Sequence, residues 1–134
     1  MKRILLVVLV ACGGSPAPKH ERPPPRPTYD PRELAELADG FFDLLATTAE
    51  VVEAHPNDCP GMAKELDQML ETSAPITTRM KEVAADPDGA RALNDQMKRH
   101  DADTPAIVDR ISKGLAPCAG DPTVRNAVDK MPVF

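Results

Sequence analysis

The chain of 134 residues has no tryptophan, one tyrosine and three phenylalanines, so aliphatic and methionine side chains must supply most of any core. Its seven glycines form no phosphate-binding loop. Gly-x-Ser-x-Gly, His-Glu-x-x-His, Cys-x-x-Cys-His and the Glu-x-x-His of di-iron bundles are all absent from the sequence. Nothing in these patterns predicts catalysis, and we expect a protein that is not an enzyme and carries no cofactor.

A long hydrophobic run is also lacking. The longest apolar segment, residues 4–11, would extend only ~12 Å as a helix, whereas a bilayer core is ~30 Å thick. It follows the basic start Met1-Lys2-Arg3 and ends in small residues, an order typical of an export signal. Its end, Leu9-Val10-Ala11-Cys12, resembles the lipobox of bacterial lipoproteins.

This resemblance, which covers the first dozen residues, implies that residues 1–11 are a signal peptide removed before Cys12. The Cys12 thiol would carry a diacylglyceryl group, and the new amino terminus a fatty acid such as palmitate. Two or three acyl chains hold a protein firmly on a membrane. The residue after the cysteine is Gly13 and not aspartate. By analogy with the sorting rule of enterobacterial lipoproteins, this favours the outer membrane of the cell envelope. The alternative is a free or buried cysteine inside a cleaved signal.

Proline dominates the segment that follows. Six of the 15 prolines lie between residues 13 and 28, in a stretch with almost no apolar side chains. We therefore interpret residues 12–27 as an unfolded tether with a reach of up to ~50 Å. A passive spacer is the simpler interpretation, and a docking motif for a proline-recognising protein is the alternative.

Residues 28–134 form the expected folded domain. They include 20 acidic and 11 basic residues, a net charge of −9, which argues against nucleic acid as a partner. Asp30-Pro31, Asp86-Pro87 and Asp121-Pro122 each pair an N-cap residue with a proline suited to the first helical position. Apolar residues three and four apart predict helices over residues 31–55, 60–85, 88–115 and 122–130.

The predicted fold is therefore all-α, a small antiparallel bundle of three long helices and a short C-terminal one. Pro75 and Thr104-Pro105 predict a kink or a break inside the second and third helices. The second and third helices are expected to form a hairpin that turns near Asp86. Cys59 precedes the second helix and Cys118 follows the third, so both cysteines lie at the same end of this hairpin. In an oxidising compartment they should form a disulfide. The alternative, a catalytic thiol, lacks a Cys-x-x-Cys motif or a neighbouring base.

Two further groups of residues raise alternatives. Met80, Met97 and His100 are predicted to face inward near the hairpin turn, where thioether and imidazole ligands can bind copper or b-type haem. The simpler interpretation is that these side chains only fill the core.

The acidic run between residues 33 and 61, which contains no lysine or arginine, predicts a solvated face, or alternatively a surface for a cationic partner or divalent ions. It comprises Glu33, Glu36, Asp39, Asp43, Glu50, Glu53 and Asp58.

His55, at the end of the first helix, is explained by its favourable interaction with the helix carboxyl end. Together these features predict a membrane-anchored envelope lipoprotein whose helical domain binds another envelope protein. The alternative is a metal- or b-haem-binding bundle of the four-helix type.

Overall fold

A computed structural model of the protein describes Gly14, Lys19 and residues 22–132. The predicted signal peptide and the predicted lipid-attachment residue Cys12 lie outside the described residues. The described residues of the tether are exposed and belong to neither a helix nor a strand. In the part of the chain that the structure describes, no helix combines the length and the hydropathy needed to cross a bilayer.

The described chain is all-α, as predicted, and contains no strand. Its six α-helices are α1 (Pro31–Ala54), α2 (Cys59–Thr72), α3 (Ala74–Ala84), α4 (Pro87–Met97), α5 (Thr104–Leu115) and α6 (Pro122–Asp129). Two short 3-10 turns, Lys98–His100 and Ala116–Cys118, follow α4 and α5.

Aspartate side chains begin four of these helices. Asp30, Asp86 and Asp121 each accept a hydrogen bond from a backbone N–H in the first turn of α1, α4 and α6, which confirms the predicted caps. Asp58 does the same for α2, a cap that the Asp-Pro pattern does not identify because Cys59 stands between Asp58 and the proline. Each cap satisfies donors that the helix itself leaves unpaired.

Two of the three predicted long helices are divided. The predicted second helix ends at Ser73 and restarts as α3, where Pro75 occupies the first turn and its missing N–H leaves no helical bond unmade. The predicted third helix is interrupted at residues 98–103, and Pro105 likewise lies in the first turn of α5. Of the predicted long helices, only α1 is therefore continuous.

Helix α1 packs against α2, α3, α4 and α5, and α6 packs against α2. The buried side chains form two clusters. The tether-end core, near the start of α1, consists of Leu34, Leu37, Met80, Val83 and Leu93. The disulfide-end core consists of Val52, Met62, Ala63, Leu66, Cys118, Val124 and Ala127.

The apolar stripe of α1 follows the sequence pattern over most of its length. The three- and four-residue spacing predicts a buried stripe of Leu34, Leu37, Phe41, Leu44, Thr48, Val51 and His55. Of these, Leu34, Leu37, Leu44 and Thr48 are buried. At the next turn Val52 is fully buried, whereas the predicted Val51 is half-buried. The helix repeat of 3.6 residues carries the buried face forward by four residues here rather than three.

The predicted disulfide is present. Cys59, the first residue of α2, is bonded to Cys118 in the second 3-10 turn, with a Cα–Cα distance of 5.5 Å. It links two segments that are 59 residues apart in the chain and closes the disulfide-end core.

Candidate functional site

An open cleft of about 630 Å³ lies between α1, α3 and α4 and is called the α3–α4 cleft hereafter. This volume is within the usual range for small-molecule sites. Most of its walls are apolar. The lining residues are Phe41, Met80, Lys81, Ala84, Ala85, Ala90, Leu93, Asn94 and Met97.

Alanines keep the cleft open. Ala84 and Ala85 end α3, and Ala90 lies in the first turn of α4, so no large side chain fills the space near the α3–α4 turn. Met80 is 1% exposed and belongs to the tether-end core, which gives the cleft a tightly packed apolar base. Met97, at the end of α4, is half-buried.

Two polar side chains line the cleft, Lys81 and Asn94. No carboxylate does so, although the domain is strongly acidic. Lys81 is exposed and has no hydrogen bond or ion pair with any described residue. Arg79, two residues earlier, contrasts with it, because its guanidinium is hydrogen-bonded to Glu33 and Glu82. The cleft thus combines apolar walls with one uncompensated positive charge.

The structure brings together two of the three residues predicted as alternative metal or haem ligands. Met80 and Met97 both line the α3–α4 cleft, whereas His100 does not. The His100 ring stacks on Phe42 with a centroid distance of 4.3 Å, and its Nε2 lies 2.8 Å from Oδ1 of Asp39. Among the described residues, no three histidine, cysteine, aspartate or glutamate side chains are grouped as metal ligands.

Much of the acidic run is engaged within the protein. Cross-helix pairs join Glu33 to Arg79 (2.6 Å), Asp39 to Arg99 (3.0 Å) and Glu53 to Arg110 (2.6 Å). The arginine hydrogen bonds lower the pKa of both Glu33 and Glu53. The sequence alone did not reveal these pairs, because the partners are between 46 and 60 residues away.

Three members of the run, Glu36, Asp43 and Glu50, have no ion-pair partner among the described residues. They are exposed and recur every seven residues on α1, so they share one face of the helix. A second, smaller cleft of about 360 Å³ lies beside this face, between α1 and the α2–α3 break, and Asp43 lines it. This smaller cleft therefore presents a negative charge, unlike the α3–α4 cleft.

His55 is the C-cap residue of α1, at the helix end where the sequence places it, and its ring contacts two carboxylates. Its Nδ1 lies 3.4 Å from Oδ2 of Asp58, and its Nε2 lies 3.1 Å from Oε2 of Glu65. These contacts join the end of α1 to α2. The ring nitrogens point to different partners, so the arrangement links helices and does not converge on one ligand.

The chain matches no protein-family model, no curated protein and no solved structure. Of the two clefts described above, the α3–α4 cleft is the larger, and its lining is suited to binding an apolar group beside an anion.

Proposed function

We propose that the protein is a lipoprotein of the bacterial cell envelope, anchored through lipid on Cys12, with the outer membrane as its location. Residues 12–27 are the tether, and residues 28–134 are a non-enzymatic helical domain that binds another envelope protein. The observation that carries the proposal is the basic, apolar and small-residue order of residues 1–11, which ends in the lipobox-like Leu9-Val10-Ala11-Cys12.

The boundary between tether and domain supports this division of the chain. Residues 22–28 are exposed, and Tyr29 is the first side chain that packs against the tether-end core. The disulfide also supports it, because bonds such as Cys59–Cys118 persist in exported proteins and are rare where the cytosol keeps thiols reduced.

We propose further that the pairs α2–α3 and α4–α5 each correspond to one long, bent helix, here called a leg. The two legs form an antiparallel bundle with α1, and the short α6 completes it. Glu33 near the start of α1 pairs with Arg79 near the end of the α2–α3 leg, which supports opposite directions for these two elements. For the protein partner, the unpaired carboxylates of Glu36, Asp43 and Glu50 favour a cationic surface.

The anchor is tested by labelling cells of a native-like host with a radioactive or clickable palmitate analogue. The wild-type protein should incorporate the label and sediment with membranes. Cys12→Ser should do neither and should retain residues 1–11, as judged by intact mass. A Cys59→Ala/Cys118→Ala variant is the matched control, because it also loses cysteine yet should still be labelled. Unlabelled wild-type protein, or a labelled Cys12→Ser variant, would refute the proposal.

The second candidate is a metal- or b-haem-binding bundle, and the observation that favours it is that Met80 and Met97 line the same cleft. Soft thioether ligands suit Cu(I) and haem iron. Elemental analysis and absorption spectra of the purified protein, before and after addition of haemin or Cu(I), test it. A stoichiometric metal or a shifted haem spectrum that Met97→Leu abolishes would establish this function.

A further inference from the structure

The geometry points to the α3–α4 cleft as a binding site for a long-chain fatty acid, with the acyl chain on the apolar walls and the carboxylate beside Lys81. The inference concerns a ligand that the proposed anchor does not supply. It therefore stands or falls independently of whether Cys12 is lipidated.

The charge distribution selects an anionic ligand. The domain contains 20 acidic residues, yet none of them lines the α3–α4 cleft, and Lys81 is the single charged residue among the lining residues. Lys81 has no partner in the described protein, so a ligand carboxylate would not have to displace an existing ion pair. The Asn94 amide, also on the lining, offers a further hydrogen-bond donor inside the cleft.

The walls select a flexible apolar chain. Ala84, Ala85 and Ala90 leave space, while Met80 and Met97 offer thioether side chains that adapt to different shapes. A cleft of about 630 Å³ has room for one acyl chain of about 12 to 16 carbons, whose size is that of an ordinary small-molecule ligand.

The position of the cleft is compatible with a ligand taken from a membrane. Tyr29, where the tether enters the domain, packs against the same tether-end core that forms the base of the cleft. Tyr29 also lies against Gly89, one residue before the lining residue Ala90. This point alone rests on the proposed anchor, whereas the binding chemistry does not.

The test is titration calorimetry of the full chain carrying Cys12→Ser with dodecanoate and tetradecanoate, below their micelle concentrations. We expect saturable binding of one molecule per chain. If the two extra methylenes are buried, affinity should rise by up to roughly fifteenfold from the shorter to the longer acid. Dodecanol, which lacks the charge, should bind about two- to fivefold more weakly than dodecanoate.

Matched variants locate the head group and the chain. Lys81→Met should reduce dodecanoate affinity to that of dodecanol, whereas Lys64→Met, which removes another exposed and unpaired cation, on α2, should leave it unchanged. Ala90→Leu should fill the cleft and weaken both acids, with circular dichroism confirming that the fold is retained.

Several outcomes would overturn the inference. Absence of saturable binding would do so, as would equal affinity for acid and alcohol that Lys81→Met does not alter. If the lipidated wild-type chain fails to bind while Cys12→Ser binds, the occupant is the chain's own lipid. If haemin displaces tetradecanoate and gives a spectrum that Met97→Leu abolishes, the cleft is a haem site.

Discussion

Arg110 on α5 holds both carboxylate oxygens of Glu53 on α1, with Nε 2.8 Å from Oε1 and Nη2 2.6 Å from Oε2. Such a two-pronged pair fixes direction as well as distance. It matters for α5 because Ile107, which is 9% exposed, is the one buried residue of that helix. The pair therefore helps to set where α5 lies along α1.

We expect the Glu53–Arg110 pair to make stability depend on pH. The Arg110 hydrogen bonds lower the pKa of Glu53 from its ordinary value of 4.5. A carboxyl group whose folded-state pKa is lowered stabilises the fold above its unfolded pKa, and this contribution is lost as pH falls through the folded value. Urea midpoints at pH 7 and at pH 3 should therefore differ less for Glu53→Gln than for the wild type.

Glu36→Gln is the matched control, because Glu36 is exposed on the same helix and has no ion-pair partner among the described residues. It should leave the difference between the two midpoints nearly unchanged. Equal pH dependence in Glu53→Gln and the wild type would show that the pair does not contribute. Glu33, whose pKa is lowered by Arg79, accounts for a separate part of the acid sensitivity.

Gly114 permits the close approach of α1 and α5, and we expect Gly114→Ala to be destabilising. A Cβ at this position would overlap the side chain of Val52, which is fully buried and so has little freedom to move. Overpacking of this kind costs about 1–3 kcal/mol. Denaturant unfolding should show the loss in Gly114→Ala. Gly120→Ala, where nothing lies within 4 Å of an added Cβ, should change stability by less than ~0.5 kcal/mol.

The helices and their caps were predictable because their signals are local. An aspartate followed by proline, and apolar residues three and four apart, identify a helix without reference to the rest of the chain. Whether Pro75 and Pro105 bend a helix or end it depends on what packs against the turn, so the sequence left both outcomes open. The structure shows two breaks, at Ser73 and at residues 98–103.

The site was only partly predictable. The spacing of apolar residues predicts that Met80 and Met97 face inward near the α3–α4 turn, and both do line one cleft. His100 was expected to continue the inner face of that helix. The chain instead passes into a 3-10 turn at Lys98, which changes the angle between successive side chains, and His100 faces Asp39 and Phe42. The cross-helix ion pairs depend on how helices are aligned along each other, which local spacing does not determine.

The Cys59–Cys118 disulfide should contribute substantially to stability. Its partners are 59 residues apart. Closing a loop of that length lowers the conformational entropy of the unfolded chain, which stabilises the folded state by about 4 kcal/mol in the chain-entropy treatment. We expect Cys59→Ala/Cys118→Ala to unfold at clearly lower urea concentration than the oxidised wild type. Dithiothreitol should lower the wild-type midpoint toward that of the variant and leave the variant unchanged. Equal midpoints for the oxidised wild type and the variant would contradict this expectation.

Thr48 is the one buried polar or charged side chain in the described chain, and its hydroxyl should be nearly dispensable while its shape is not. The hydroxyl donates to the Leu44 carbonyl at 2.7 Å and contacts Sδ of Met69 at 3.5 Å. The Leu44 carbonyl, one turn earlier in α1, can still accept the N–H of Thr48 itself, so Thr48→Val leaves no buried group unpaired. We expect Thr48→Val to change the free energy of unfolding by less than ~1 kcal/mol, in either direction.

Thr48→Ala should cost more than Thr48→Val, because it leaves a cavity beside Met69 in addition to removing the hydroxyl. Denaturant unfolding of the two variants separates the contributions: a large loss that is equal in Thr48→Val and Thr48→Ala would mean that the hydroxyl, not the packing, holds α1 against α2.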